Sequence, residues 1–293
     1  MVGPAHAEPD VRPKGQPHLN GNGKKSLQGV KTVVLAGGRG TRLAPYTSVL
    51  PKPLMPVGDR AILEVVVEQL EEVGVVDIHF CVGYLAHLIR AVFDNRENGH
   101  VNITYVHEQH ALGTAAPLRL VDGLDSTFMV MNGDVLTTLD YRDLFDYHRA
   151  QGNELTIATH KRSITIDYGM LHLDVASRVR EYEEKPTITS PVSMGIYVME
   201  PSVIEHIPEE GHFDFPDLVQ ALLAAGSPVG AYLHEGLWFD IGRQDDYERA
   251  VSVWSENGHT NGHLRNGANG NGKSGGTSAA SDRDGIRHEQ GLA

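Results

Sequence analysis

Four short apolar runs, separated by stretches with helical spacing, fill residues 30–132 and leave few folds open to this chain. The runs are residues 32–36, 78–82, 101–106 and 128–131. Between the first two, apolar residues recur at Ile62, Val65, Val66, Leu70 and Val73, the period of a helix with one buried face. Residues 85–93 and 114–121 read as two further helices. Strands that alternate with helices of this length predict βαβ units and a parallel sheet covered on both faces. Past Ala150 the pattern changes. Residues 155–159, 170–173, 179–182 and 195–199 read as strands with shorter connections, so the second half is expected to add a mixed sheet over the site. No internal repeat is apparent.

The ends of the chain are of another kind. Residues 1–29 and 256–293 hold few large apolar side chains and are rich in Gly and polar residues. They cannot bury enough surface to offset chain entropy and are predicted to be disordered tails around one domain, residues 30–255. Over 293 residues, 25 Lys and Arg stand against 38 Asp and Glu, a net charge of −13. The tails carry +2 and 0, which leaves −15 on the domain. Such a field disfavours nucleic acid, so any anion must be met locally by a few cations and backbone amides. No apolar run approaches the ~18–20 residues of a membrane span, and the polar, Pro/Gly-rich N-terminus lacks the apolar core of a signal peptide, so export is not expected. With a single cysteine, Cys81, a reducing, cytoplasmic location is expected and no membrane association. Cys81 lies in an apolar run and is expected to pack rather than react.

The first apolar run ends in Leu35-Ala36-Gly37-Gly38-Arg39-Gly40-Thr41-Arg42-Leu43. Glycines at a strand end let the backbone approach a ligand and aim its N–H groups at an anion. No Gly-Lys-Ser/Thr closes the loop, so it is not a Walker A loop, and Leu43 stands where a dinucleotide fingerprint needs its third glycine. Arg39 and Arg42 place cations beside it, which points to phosphates. Pro51 and Pro53 flank Lys52 and are expected to hold it on a stiff extended segment.

Residues 35–57, LAGGRGTRLAPYTSVLPKPLMPV, resemble the signature segment of the sugar-1-phosphate nucleotidyltransferases. The resemblance continues in order through Glu108 with Gly113-Thr114-Ala115, Asn132-Gly133-Asp134, Glu184-Lys185-Pro186 and Trp238-Phe239-Asp240-Ile241-Gly242. It covers the whole domain and looks most like the mannose-1-phosphate guanylyltransferase branch. It implies a Rossmann-like, three-layer α/β fold of GT-A type with a central mixed, mostly parallel sheet. The implied reaction joins an NTP and a sugar 1-phosphate into an NDP-sugar and pyrophosphate, with Mg²⁺ as cofactor.

The resemblance also implies roles. Leu35, Ala36, Gly37, Gly38, Gly40, Thr41, Gly113 and Thr114 would bind the nucleotide. Arg42 would hold the pyrophosphate, since a guanidinium grips phosphate with two donors, and Lys52 would stabilise charge at the α-phosphate. Asp134 and Asp240, each ending an apolar run, would bind Mg²⁺. Gly169, Glu184, Lys185 and Ser193 would meet the sugar phosphate. Glu108 stands where the family reads the base edge. A carboxylate only accepts hydrogen bonds, which suits the adjacent N1–H and N2–H₂ donors of guanine and makes GTP the expected nucleotide. Where guanylyl and uridylyl members usually read N-A-G-I-Y, this chain has Ser193-Met194-Gly195-Ile196-Tyr197. A shorter polar and a bulkier apolar residue there predict a sugar, or a sugar-like cyclitol, with an altered hydroxyl pattern.

Three other readings stay open. The same reaction with UTP, dTTP, CTP or ATP is one. A non-catalytic subunit that binds sugar nucleotides is the second, against which Arg42, Lys52, Asp134, Lys185 and Asp240 are all present. A glycosyltransferase with a similar core is the third, although no D-x-D motif stands beside a strand end. His107 and His110 flank Glu108 without a cysteine or further ligand nearby, so zinc is not expected. The sequence admits a homo-oligomer.

Overall fold

The computed structural model describes residues 26–256 except 97–99, 109 and 243, and of residues 254–256 only the backbone. The chain opens with β1 (Lys31–Leu35), which runs directly into the glycine loop. Three 3₁₀ turns follow, Thr41–Leu43, Tyr46–Ser48 and Lys52–Leu54, and then the short β2 (Pro56–Val57) and β3 (Arg60–Ala61). The next elements are α1 (Ile62–Glu72), β4 (Asp77–Val82), α2 (Ala86–Phe93) and β5 (Asn102–His107). A 3₁₀ turn, Ala116–Leu120, leads to β6 (Phe128–Asn132), β7 (Val135–Thr137) and α3 (Tyr141–Gln151). The second half holds β8 (Leu155–Thr165), β9 (Met170–Leu173), β10 (Val179–Glu183) and β11 (Thr187–Met199). A 3₁₀ turn, Pro201–His206, precedes α4 (Phe215–Ala225), β12 (Val229–Leu233), β13 (Trp238–Asp240) and α5 (Gln244–Glu256).

One seven-stranded sheet organises these elements, in the order β12-β8-β11-β6-β1-β4-β5. Only β11 runs against its neighbours β6 and β8; the other ladders of the sheet are parallel. Alternation along β1 and β6 splits the core into two layers. Val34, Met129 and Met131 face one side, with α1, α2 and α3; Val33, Phe128 and Val130 face the other, with the 116–120 turn and α4. Each fully buried aliphatic contributes about 1.5–3 kcal/mol of transfer free energy. α1 buries Ile62, Leu63, Val65, Val66, Val67 and Leu70, and Glu64 accepts the Ala61 N–H at 2.8 Å to close its first turn. β-branched residues are poor helix formers, but packing outweighs propensity here. Among the described residues no helix is long and apolar enough to cross a membrane.

Four expectations need correction. The second half does not lay a separate mixed sheet over the site: β8, β11 and β12 extend the same sheet, while β9 pairs with β10 and β13 with β7 apart from it. Within residues 114–121 only a five-residue 3₁₀ turn, Ala116–Leu120, forms rather than a helix, and the Ala115 and Ala116 N–H groups before it are committed to the distant Phe213 carbonyl. Lys52 is on a 3₁₀ turn, not an extended segment. Pro51 caps it and Pro53 lies in the first turn, where a missing N–H costs nothing. The domain does not begin at residue 30: Leu27 is 6% exposed, belongs to the core and donates its N–H to Val73 at 2.8 Å. The tails before residue 26 and after 256 lie outside the described residues.

Candidate active site

The strand order reverses at β1, with β4 on one side and β6 on the other, and at such a point the loops leaving the strands separate and open a crevice. The Ala36 N–H still pairs with Cys81 O at 2.8 Å, while the Gly133 N–H reaches Leu35 O at 2.9 Å from the opposite side. Gly37 therefore emerges at the switch point. A β-carbon on Gly37 would stand 2.5 Å from Glu108 Oε1 and 3.4 Å from the Gly83 nitrogen, so a side chain there would displace the Glu108 carboxylate. Three strand ends, after β1, β4 and β5, thus meet around one carboxylate. Burial pushes the Glu108 carboxyl above the usual range, against the lowering effect of a hydrogen bond from the Leu112 N–H. Ala36 is buried, so only its backbone can face a ligand, whereas Gly38, Thr41 and Arg42 are exposed. Arg39 lies over the Tyr84 ring at 5.7 Å.

A second cluster forms on the other wall of the crevice. β7 and β13 pair antiparallel with Asp240 opposite Val135, which sets Asp240 beside the turn that carries Asp134. Lys52 Nζ makes an ion pair with Asp134 and lies 3.7 Å from Asp240 Oδ1, all three side chains being mostly buried. The Gly242 N–H donates to Asp240 Oδ1 at 3.0 Å. The Gly242 backbone packs so closely that a β-carbon there would meet Lys52 Nζ, Asp240 Oδ1 and Arg42 Nη2 within 2.8, 2.9 and 3.3 Å. Arg42, Lys52, Asp134 and Asp240, spread over two hundred residues of sequence, are brought to one place. The glycine loop is tied to the 46–48 turn through Gly40, whose carbonyl accepts from the Thr47 hydroxyl at 2.8 Å. Among the described residues no three His, Cys, Asp or Glu side chains form a metal cluster. Two adjacent carboxylates already sharing one cation suit Mg²⁺, which takes one or two carboxylates and fills its shell with water and phosphate oxygens.

The sugar-side residues are more dispersed. Gly169, Glu184 and Lys185 lie on the exposed end of the β8–β11 arm. The Tyr182 hydroxyl covers Gly169 and donates to Glu184. Lys185 adopts φ 48, so its neighbour Pro186 stiffens a strained turn rather than a strand. Ser193 lies nearer the core, with its hydroxyl 3.1 Å from the Tyr197 hydroxyl and accepting the Gly195 N–H at 3.2 Å. Met194 does not line a pocket. It is 1% exposed within the core, and its carbonyl accepts from the Trp238 indole at 3.2 Å. The altered pocket expected from its bulk is therefore not formed by its side chain.

Other residues emerge only in the folded chain. Gly195 (φ 72) sits at a bulge in the β8–β11 ladder, where a β-carbon would stand 2.4 Å from the Asn132 amide nitrogen. Asn132 precedes Gly133 and Asp134, so β11 packs directly behind the carboxylate turn. Thr114, expected at the nucleotide, has its N–H and hydroxyl committed to Asp214 at 2.8 and 2.9 Å. Cys81 is fully buried, and its thiol is pushed up to about 12 by burial first and by Glu108 second.

Comparison with known proteins bears on this geometry. The family profile described as Nucleotidyl transferase matches residues 31–256. A UTP–glucose-1-phosphate uridylyltransferase of Synechocystis sp. is 31% identical over 242 residues, covering 76% of this chain and 62% of that protein. A mannose-1-phosphate guanyltransferase of Aspergillus oryzae is 33% identical over 227 residues, covering 74% of this chain and 62% of that protein. The crystal structure of HddC from Yersinia pseudotuberculosis complexed with GMP-PN matches with a TM-score of 0.60 and 26% identity, over 76% of this chain and 98% of that one. The chain spans a little under two thirds of the length of these two curated relatives.

Proposed function

We propose, since the chain belongs to the nucleotidyl transferase family, that it transfers the nucleotidyl group of GTP to a sugar 1-phosphate or a sugar-like cyclitol 1-phosphate. An oxygen of the sugar phosphate attacks the α-phosphorus while the bond to the β-phosphate oxygen breaks, and the electron pair leaves with pyrophosphate. Both reactants are anions, so catalysis is positioning and cancellation of charge, with no protein nucleophile. Backbone amides of the 36–41 loop meet the nucleotide phosphates, Arg42 the departing pyrophosphate and Lys52 the α-phosphate. Lys185, on the arm, meets the incoming phosphate. Asp134 and Asp240 would hold Mg²⁺, which when bound neutralises phosphate charge and fixes the phosphate oxygens.

The guanine reading is carried by the Glu108 carboxylate standing against Gly37 at the mouth of the loop. The guanine nucleotide named in the HddC structure supports it. One observation favours the uridylyl alternative, which the Synechocystis relative also suggests. Burial raises the Glu108 carboxyl, and a protonated carboxyl offers one donor beside one acceptor, as uracil requires. Pyrophosphate release from each of five NTPs, crossed with several sugar 1-phosphates, separates these readings. GTP is expected to lead. Substituting Glu108→Gln should lower kcat/KM for GTP about ten- to a hundredfold and raise the relative use of UTP. Preference of the unaltered protein for UTP, dTTP or CTP would overturn the base assignment, and no turnover with any pair would overturn the reaction.

A further inference from the structure

We propose that Asp214, one hundred residues away in sequence from the base-side loop, is the positioning residue that sets where the base is read. This rests on the reading of Glu108 as the group that meets the base. Asp214 Oδ1 accepts two hydrogen bonds from Thr114, from its N–H at 2.8 Å and from its hydroxyl at 2.9 Å. The same hydroxyl accepts the Phe215 N–H at 3.0 Å, so a donor, an acceptor and a backbone group interlock. On one side of Asp214, the Phe213 carbonyl accepts the Ala115 and Ala116 N–H groups at 3.0 and 3.1 Å, and the Phe213 N–H donates to Leu112 O at 2.8 Å. Leu112 in turn donates its own N–H to the Glu108 carboxylate. Residues 112–116 therefore lie along residues 213–215 like a strand on a template, and the carboxylate hangs from the first of them. The contact is tight, since a β-carbon on Gly113 would stand 2.6 Å from Phe213 O.

The template is rigid for identifiable reasons. Asp214 caps α4, and its own N–H is held by Asp217 at 3.0 Å. Phe215 is 5% exposed and stacks on Tyr197 at 4.1 Å with the rings 5° from parallel, while Leu218 and Leu222 anchor the helix in the core. The 112–116 loop has only the short 116–120 turn of its own, and a segment with so little internal bonding takes its shape from what it is bonded to. His212 Nε2 lies 3.7 Å from Asp214 Oδ2, on a mostly exposed ring.

The test measures equilibrium binding of GTP and of UTP to the full-length chain by calorimetry. Variants are Asp214→Ala, Asp214→Asn, Thr114→Val, the double variant Asp214→Ala with Thr114→Val, Asp217→Ala and Glu108→Gln. Asp214→Ala should weaken GTP binding about tenfold and shrink the GTP-over-UTP ratio in proportion, as expected for one or two lost hydrogen bonds. Asp214→Asn keeps an oxygen acceptor and should stay within about threefold. Thr114→Val removes the hydroxyl half of the same interaction from an exposed position and should act in the same direction as Asp214→Ala, so the proposal survives poor folding of the latter. The double variant should be no worse than Asp214→Ala alone, because the lost bonds are shared. Asp217→Ala weakens the α4 cap without touching the loop and should lower Tm while leaving the nucleotide ranking alone. Unchanged nucleotide binding in Asp214→Ala with a Tm loss like that of Asp217→Ala, or additive losses in the double variant, would overturn the proposal. If Glu108→Gln alters the ranking and Asp214→Ala does not, the positioning role falls and the base reading stands. If Asp214→Ala weakens both nucleotides equally while Glu108→Gln leaves the ranking alone, the base reading falls and Asp214 still holds the loop.

Discussion

Glu108 shows how one side chain's surroundings decide what it can recognise. In water it would be ionised well below neutral pH, but burial favours its protonated form. As pH falls through that raised value, the group changes from acceptor-only to donor plus acceptor. The GTP-over-UTP preference is therefore expected to decline on acidification before the fold is lost, and Glu108→Gln should flatten the profile; parallel kcat/KM profiles for the two nucleotides check this. The stability sign runs the other way. An acid whose folded pKa is raised stabilises the fold below its ordinary pKa and loses that contribution as pH rises through the raised value. Glu108→Gln should consequently melt higher than the parent at pH 8, with the difference vanishing near about pH 4 in thermal scans. At the opposite wall, Asp134→Asn leaves Lys52 with Asp240 as its remaining partner. It should slow turnover by about a hundredfold or more and weaken Mn²⁺ binding measured by paramagnetic resonance, with Tm changed by only a few degrees. Full activity in that variant, or in EDTA, would remove the metal role.

At the scale of elements, the bulge in β11 does more than the strands around it. Pairing with β8 is regular from Thr187 to Ser193, breaks, and resumes at Tyr197. The break turns Ser193 and Tyr197 toward each other and lays Gly195 on the Asn132 side chain behind the Asp134 turn. A side chain at Gly195 would meet both an unfavourable φ and the Asn132 amide. Gly195→Ala is thus expected to cost about 2 kcal/mol, or roughly 4–8 °C in Tm for a domain of this size. Because the displaced amide adjoins the carboxylate turn, kcat should fall more than KM for the nucleotide changes. Loss of stability with unaltered kcat would show that the bulge is only structural.

For the whole molecule, the decisive arrangement is that one continuous sheet carries both substrate sides. β1, β4 and β5 deliver the glycine loop and Glu108, the end of β6 delivers Asp134, and the reversed β11 brings Ser193 up from the other half. The N-terminal boundary belongs to this scale too. Leu27 and Val30 pack into the same core as α1, at 6% and 7% exposure. A chain beginning at Ser26 should melt close to the full-length protein, whereas one beginning at Lys31 should lose about 3–5 kcal/mol, in line with deletion of two buried aliphatics. Equal melting temperatures for the two would mean that Leu27 and Val30 are not integral to the fold.

Periodicity alone determined the α/β class, the helix over α1 and most strand positions, because burial on one or two faces imposes a repeat that composition cannot hide. The resemblance carried by the motifs pointed to Gly37, Lys52, Asp134 and Asp240, and the fold sets Lys52, Asp134 and Asp240 side by side. Reading the sequence alone misplaced what depends on partners far along the chain. Prolines that ordinarily read as extended segments or helix positions instead lie in 3₁₀ turns at Lys52–Leu54 and Ala116–Leu120. Met194 turns into the core, and Leu27 joins it from within an apparently featureless tail. Thr114 spends its hydrogen bonds on Asp214, a residue whose local sequence announces only a helix cap. Hydrogen-bond partners and packing neighbours across a hundred residues follow from strand order. Strand order is set by how the two hydrophobic layers close over the sheet, so only the tertiary structure could decide which side of the crevice each of these residues would serve.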